Sequence, residues 1–158
     1  MITLGIDPGT RRIGYGIVES DRGSTRFVAA GILAIKSSND PDALVEAKHE
    51  IDSIIKKYQP HAVGVERLFF SKNQKTAIAV AQARGVMLLA ATQHQLLIKE
   101  YTPNEVKLGI TGYGLADKKA VLKMVQLILG KQDLKVIDDA SDALALAILA
   151  SQDRTVGY

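Results

Sequence analysis

A chain of 158 residues is long enough to bury one substantial hydrophobic core and too short for two, so one domain spanning 1–158 is expected. The composition, 47% apolar and 23% charged with no cysteine and no tryptophan, is that of a globular protein and excludes disulfides, thiolate metal sites and cysteine nucleophiles. A net charge of +3 and a pI near 9.1 are mild, yet the acids singled out below are expected to converge, which leaves the remaining surface basic and suited to a polyanion.

Ile2 to Asp7, Gly14 to Glu19 and Arg26 to Lys36 read as three strands, separated by Pro8-Gly9 and by the turn cluster Ser20 to Ser24. Short connections predict antiparallel pairing. After the loop Ser37 to Pro41, Leu44, Ala47, Ile51, Ile54, Ile55 and Tyr58 recur at helical spacing with charges on the other face. Ala62 to Glu66 is a short apolar run reached by that helix, and such crossovers join parallel strands, so a mixed sheet is expected. Gln74 to Gln95 reads as a helix that is apolar on more than one side, and the surplus apolar surface implies a second burial surface such as a dimer partner.

Leu97 to Tyr101 reads as the last strand. Thr102-Pro103-Asn104-Glu105 combines capping-box spacing with proline at the first helical position and predicts a helix that stops near Gly109 to Gly114. A further amphipathic helix is expected from Asp117 to Gly130, and an alanine-rich one from Asp138 to Ala150. Met1 leads straight into the first strand with no basic n-region, and the most apolar later stretch, Thr76 to Thr92, is broken by Gln82 and Arg84. The expectation is therefore a cytoplasmic protein with no membrane partner.

Four acids carry the chemistry in this reading. Asp7 and Glu66 each close a short apolar run, and Asp139 and Asp142 lie three residues apart at the start of the last helix. Carboxylates beside a packed core are costly unless a cation compensates them. Hard oxygen donors without a histidine or cysteine cluster fit Mg2+, and two such ions can clamp the attacking and leaving oxygens of a phosphodiester. Each acid also has a plainer role open to it: a turn before proline for Asp7, a strand-end ion pair for Glu66, and the favourable first turn of a helix for Asp139 and Asp142. Asp138 lies on the same helix face, so spacing alone leaves Asp138 and Asp139 as alternatives.

Gly5-Ile6-Asp7-Pro8-Gly9-Thr10 followed by Gly14-Tyr15-Gly16, Glu66 to Asn73 followed by Gln82-Ala83-Arg84-Gly85, and Asp139-Ala140-Ser141-Asp142-Ala143-Leu144-Ala145 occur in that order along nearly the whole chain. Together they resemble the RuvC-type Holliday junction resolvases. The resemblance implies a ribonuclease H-like α/β fold, with a mixed five-stranded sheet, its first three strands antiparallel, flanked by helices. It implies a homodimer that binds four-way junction DNA in recombination and repair and nicks two opposed strands symmetrically. By motif position Asp7, Glu66, Asp139 and Asp142 become the catalytic acids that bind Mg2+, two ions per site with Mn2+ as a substitute, and Asp138 becomes the helix cap. RuvA and RuvB, a branch migration complex, are the implied partners.

Lysines and arginines supply phosphate contacts, and Lys72, Lys75, Arg84, Lys107, Lys118 and Lys119 are the candidates, with Arg11 and Arg12 near Asp7. By family position Lys107 and Lys118 lie near the scissile phosphate, and Phe69, ahead of Phe70, is the aromatic expected to wedge into the junction. The alternative to a nuclease is a non-catalytic junction-binding module of the same fold; four retained acids argue against it, because a simple binder gains by losing negative charge near phosphates.

Overall fold

β1 (Ile2–Asp7) alternates Leu4 and Ile6 with Thr3, Gly5 and Asp7, and this period of two gives the sheet two different faces. The computed structural model describes residues 1–67 and 74–153, the side chains of 74–76 apart. β2 (Arg12–Asp21) and β3 (Ser24–Ala34) continue from β1 as an antiparallel meander. Both strands run closer to the turn than the sequence predicted. Arg22 and Gly23 have φ of 45° and 92°, so a two-residue turn lets Asp21 pair directly with Ser24.

α1 (Asp40–Tyr58) crosses from β3 to β4 (Ala62–Glu66), which lies parallel to β1. Asn39 caps the helix by accepting from the Asp42 amide at 2.9 Å, and Ala43, Ala47, Ile51 and Ile55 form its buried stripe. α2 (Gln74–Gln93) leads to β5 (Leu97–Tyr101), parallel to β4. The helix stops two residues short of the predicted Gln95, which instead turns the chain with φ 58°. The sheet order is β3-β2-β1-β4-β5, the mixed five-stranded arrangement expected.

α1 and α2 cover one face, where Ala47, Ile51, Ile55, Ala83 and Met87 pack on Leu4, Ile6, Ile13, Ile17, Val63 and Val65. The other face carries α5 (Asp138–Gln152), which is held from outside by α3 (Pro103–Thr111) and α4 (Lys118–Ile128). α3 has the expected capping box, with the Glu105 amide donating to the Thr102 hydroxyl and the Thr102 amide to the Glu105 carboxylate. α5 is buried on nearly every side from Ala140 to Ala150, which explains its alanines: it runs between the sheet and two other helices. Asp138 is not its cap. Ile137 occupies that position without a side-chain hydrogen bond, and Asp138 begins the first turn. Among the described residues no helix is long and apolar enough to cross a membrane.

Candidate active site

The register of two parallel strands places the first pair of acids. Ile6 lies opposite Val65, so the next residues, Asp7 and Glu66, leave neighbouring strand ends on the face that α5 covers. Asp139 projects from the first turn of α5, where free amides and the helix dipole favour negative charge, and Asp142 follows three residues on along the same face. What lets the helix approach is a bed of glycines. A Cβ on Gly14 would lie 2.1 Å from the Asp139 carbonyl oxygen, one on Gly5 1.9 Å from that of Ala143, and one on Gly64 2.6 Å from that of Leu146. The helix therefore rests on backbone, and its acids reach the strand ends.

Asp7, Glu66, Asp139 and Asp142 line one cleft of about 390 Å³, walled by Lys107 from α3 and Lys118 from α4. A somewhat larger hollow of about 470 Å³ at the other end of the sheet, beside Met1, Arg22 and Ser151, gathers no comparable set of charges. Burial, reinforced by Asp142, Glu66 and Asp139, pushes the Asp7 carboxyl up to about 7. Glu66 is raised as well, first by burial and then by Asp142, against the pull of Lys118 and Lys107.

Two cations partly compensate this charge. Lys118 donates to Asp142 at 3.0 Å, a bond that pushes the lysine pKa up, and the Arg12 guanidinium lies 3.3 Å from Asp139. Among the described residues no three acids or histidines are disposed to hold a metal ion as the side chains stand. Asp139 and Asp142 are turned toward Arg12 and Lys118 instead. The donor set itself, four carboxylates in one cleft with an excess of negative charge, fits a hard divalent cation.

Of the expected DNA contacts, Lys107 and Lys118 lie in the cleft wall, and Lys119, next to Lys118 in sequence, is exposed without lining the cleft. Phe69 and Lys72, with Phe70, lie outside the described residues, as does the Lys75 side chain. Arg84 has a different employment from the phosphate contact foreseen. Its Nε donates to the Glu66 carbonyl at 3.0 Å and its Nη2 to Glu100 at 2.5 Å, with the side chain 14% exposed. Arg11 pairs with Asp40 at 2.8 Å, away from the cleft. Sequence reasoning missed the Arg12 pair and the glycine bed. Gly14 and Gly16, alternating in a strand opposite an alanine-rich helix, were the available signal for the bed; Arg12 was placed near Asp7, but nothing in the spacing pointed it at Asp139.

A five-stranded sheet in the order β3-β2-β1-β4-β5, with acids at the ends of β1 and β4 and on the helix lying across them, is the ribonuclease H-like nuclease arrangement. Residues 3–150 match the family model described as crossover junction endodeoxyribonuclease RuvC, and the chain belongs to the RuvC family. It is an enzyme, an endodeoxyribonuclease. The crossover junction endodeoxyribonuclease RuvC of Fusobacterium nucleatum is 48% identical over 149 residues, covering 94% of this chain and 78% of its own. That of Desulfitobacterium hafniense is 48% identical over 150 residues, covering 94% and 90%. Among solved structures, Thermus thermophilus RuvC in complex with Holliday junction substrate superposes with a TM-score of 0.87 at 28% identity, over 94% of this chain and 92% of that one. The yeast mitochondrial resolvase Ydc2, at 16% identity and TM-score 0.68 over 93% and 76% of the two chains, shares the fold.

Proposed function

We propose that this chain is a Mg2+-dependent, structure-selective endonuclease that binds a four-way DNA junction as a homodimer and nicks two opposed strands symmetrically, in recombination and repair. The observation that carries the reading is the meeting of Asp7, Glu66, Asp139 and Asp142 in one cleft between Lys107 and Lys118. These four acids would hold the metal, two ions per site, with Mn2+ as a substitute. Bound there, the metal supplies a Lewis acid for the phosphodiester and a more acidic water.

The chain's own residues do the rest. Lys107 and Lys118 face the place where charge builds on the phosphate, and with Lys119 they neutralise the backbone of the bound strand. Lys118 and Arg12 balance part of the charge of Asp142 and Asp139 before metal and substrate arrive, which lessens the repulsion among the acids. Hydrolysis leaves a 5′-phosphate and a 3′-hydroxyl, ends that can be resealed. Phe69 as the junction wedge rests on the family resemblance, and Lys72 as a phosphate contact on its charge.

The homodimer reading draws on α2, where Ile78, Gln82, Gly85 and Leu89 form an outward stripe at helical spacing, with Ile78 68% and Leu89 52% exposed. Two catalytic clefts related by a twofold axis match a junction with two equivalent strands to cut. One domain, a cytoplasmic location and delivery of the junction by RuvA and RuvB complete the proposal.

Asp7→Asn tests it. The variant keeps the size and most of the hydrogen bonding of the side chain but cannot bear its charge. Junction affinity measured in chelator should stay at the wild-type value while cleavage in Mg2+ is lost; cleavage at the wild-type rate contradicts the assignment.

A further inference from the structure

We propose that Arg84 is a positioning residue for Glu66, acting through the backbone rather than by touching DNA. Glu66 is the last residue of β4, and its position decides whether its carboxylate enters the cleft beside Asp7. Two elements hold it. On one side the β5 register sets Glu66 against Tyr101, and the Arg67 amide donates to the Tyr101 carbonyl at 2.7 Å. On the other, Arg84 reaches across from α2 and donates its Nε–H to the Glu66 carbonyl at 3.0 Å. Its other arm, Nη2, is fixed by Glu100 of β5 at 2.5 Å, so one guanidinium ties α2, β4 and β5 together at the rim of the site.

The exposure of the side chain separates this role from phosphate binding. Lys118, which faces the cleft, is 66% exposed, whereas Arg84 is 14% exposed and its charge is already met by a carboxylate. A phosphate approaching Arg84 would also meet Glu100, an acid that repels it. The fork geometry explains the choice of residue: arginine offers two donors in fixed directions, one for the carbonyl and one for the carboxylate, where lysine offers a single ammonium.

This inference rests on the reading of Glu66 as a metal-binding acid, and the test separates the two. Arg84→Gln, Arg84→Lys, Glu100→Gln and Glu66→Gln are compared with wild type in three assays: junction affinity by fluorescence anisotropy in chelator, single-turnover cleavage at saturating junction, and the rise in melting temperature with Mg2+. The latch predicts that both Arg84 variants and Glu100→Gln keep junction affinity within about twofold. It also predicts that they cut about 10–100-fold more slowly, because a catalytic group displaced by an ångström costs that much. Their melting temperature should respond less to Mg2+. A loss of affinity in the Arg84 variants with an unchanged rate at saturation would make Arg84 a phosphate contact and overturn the latch. So would a wild-type rate in Glu100→Gln, a variant whose slowing no phosphate contact explains and one that keeps the test alive if Arg84→Gln fails to fold. If Glu66→Gln itself cuts normally, the reading of Glu66 falls and the latch with it; if Glu66→Gln is inactive while the others are normal, the latch alone falls.

Discussion

Asp7 ends the central strand among three other carboxylates and is held up to about 7, against 3.8 for an unperturbed aspartate. The folded chain therefore binds a proton there that the unfolded chain has already lost, so metal-free stability falls as pH rises from about 4 to about 7. At about 1.4 kcal/mol per unit the effect is on the order of 4 kcal/mol. Melting curves in chelator should show this decline, and Asp7→Asn should flatten it and melt several degrees higher at pH 8. Equal slopes for the two proteins would contradict the burial of this charge. A metal ion must displace the same proton, so the Mg2+-induced gain in melting temperature should shrink as pH drops below about 7. Asp7 was legible as a candidate acid in Asp7-Pro8-Gly9, but its protonation was not. That depends on Asp142, Glu66 and Asp139, which are distant in sequence and become neighbours only through strand register and the placement of α5.

At the scale of elements, the site depends on how closely α5 lies on the sheet. Gly5→Ala forces a methyl against the Ala143 carbonyl, with no flexible side chain to yield, and should cost about 1–3 kcal/mol, read as a lower urea midpoint. Gly14→Ala presses on the backbone of Asp139 itself and should weaken the Mg2+ response more than its cost in stability. An unaltered Mg2+ response would show that Asp139 does not need this close seat. At the rim of the cleft, next to the lining residue Pro103, Thr102→Ala removes the capping-box acceptor of α3 and should cost about 1 kcal/mol, some 2–4 °C in melting temperature. That cap was plain in four consecutive residues, since it is local chemistry. The cap of α5 was not: Asp138 has the right side chain, but the helix begins at Asp138 itself and Ile137 takes the cap position. The β2–β3 hairpin teaches the same lesson, because the tightness of its turn depends on Arg22 adopting a positive φ that arginine does not advertise.

For the molecule as a whole, the antiparallel meander and the parallel strands were legible, since short loops dictate the first and crossover helices the second; the order β3-β2-β1-β4-β5 comes from the structure. The two-sidedness of α2 was legible too; Met87 and Ala90 face the core while Ile78 and Leu89 face outward. Leu89→Asp should shift the protein from dimer to monomer in analytical ultracentrifugation with little loss of monomer stability, and an unchanged sedimentation coefficient would move the interface elsewhere. What paired strand cuts require is two clefts held at a fixed spacing, so the central claim concerns substrate geometry. The measurement that tests it most directly is strand-resolved cleavage of a synthetic mobile four-way junction beside a linear duplex of the same sequence, in Mg2+ and in chelator. The account predicts paired nicks at symmetric positions on two opposed strands of the junction, only with the metal, and none on the duplex. Equal cutting of the duplex, or cutting undiminished by chelator, would contradict it.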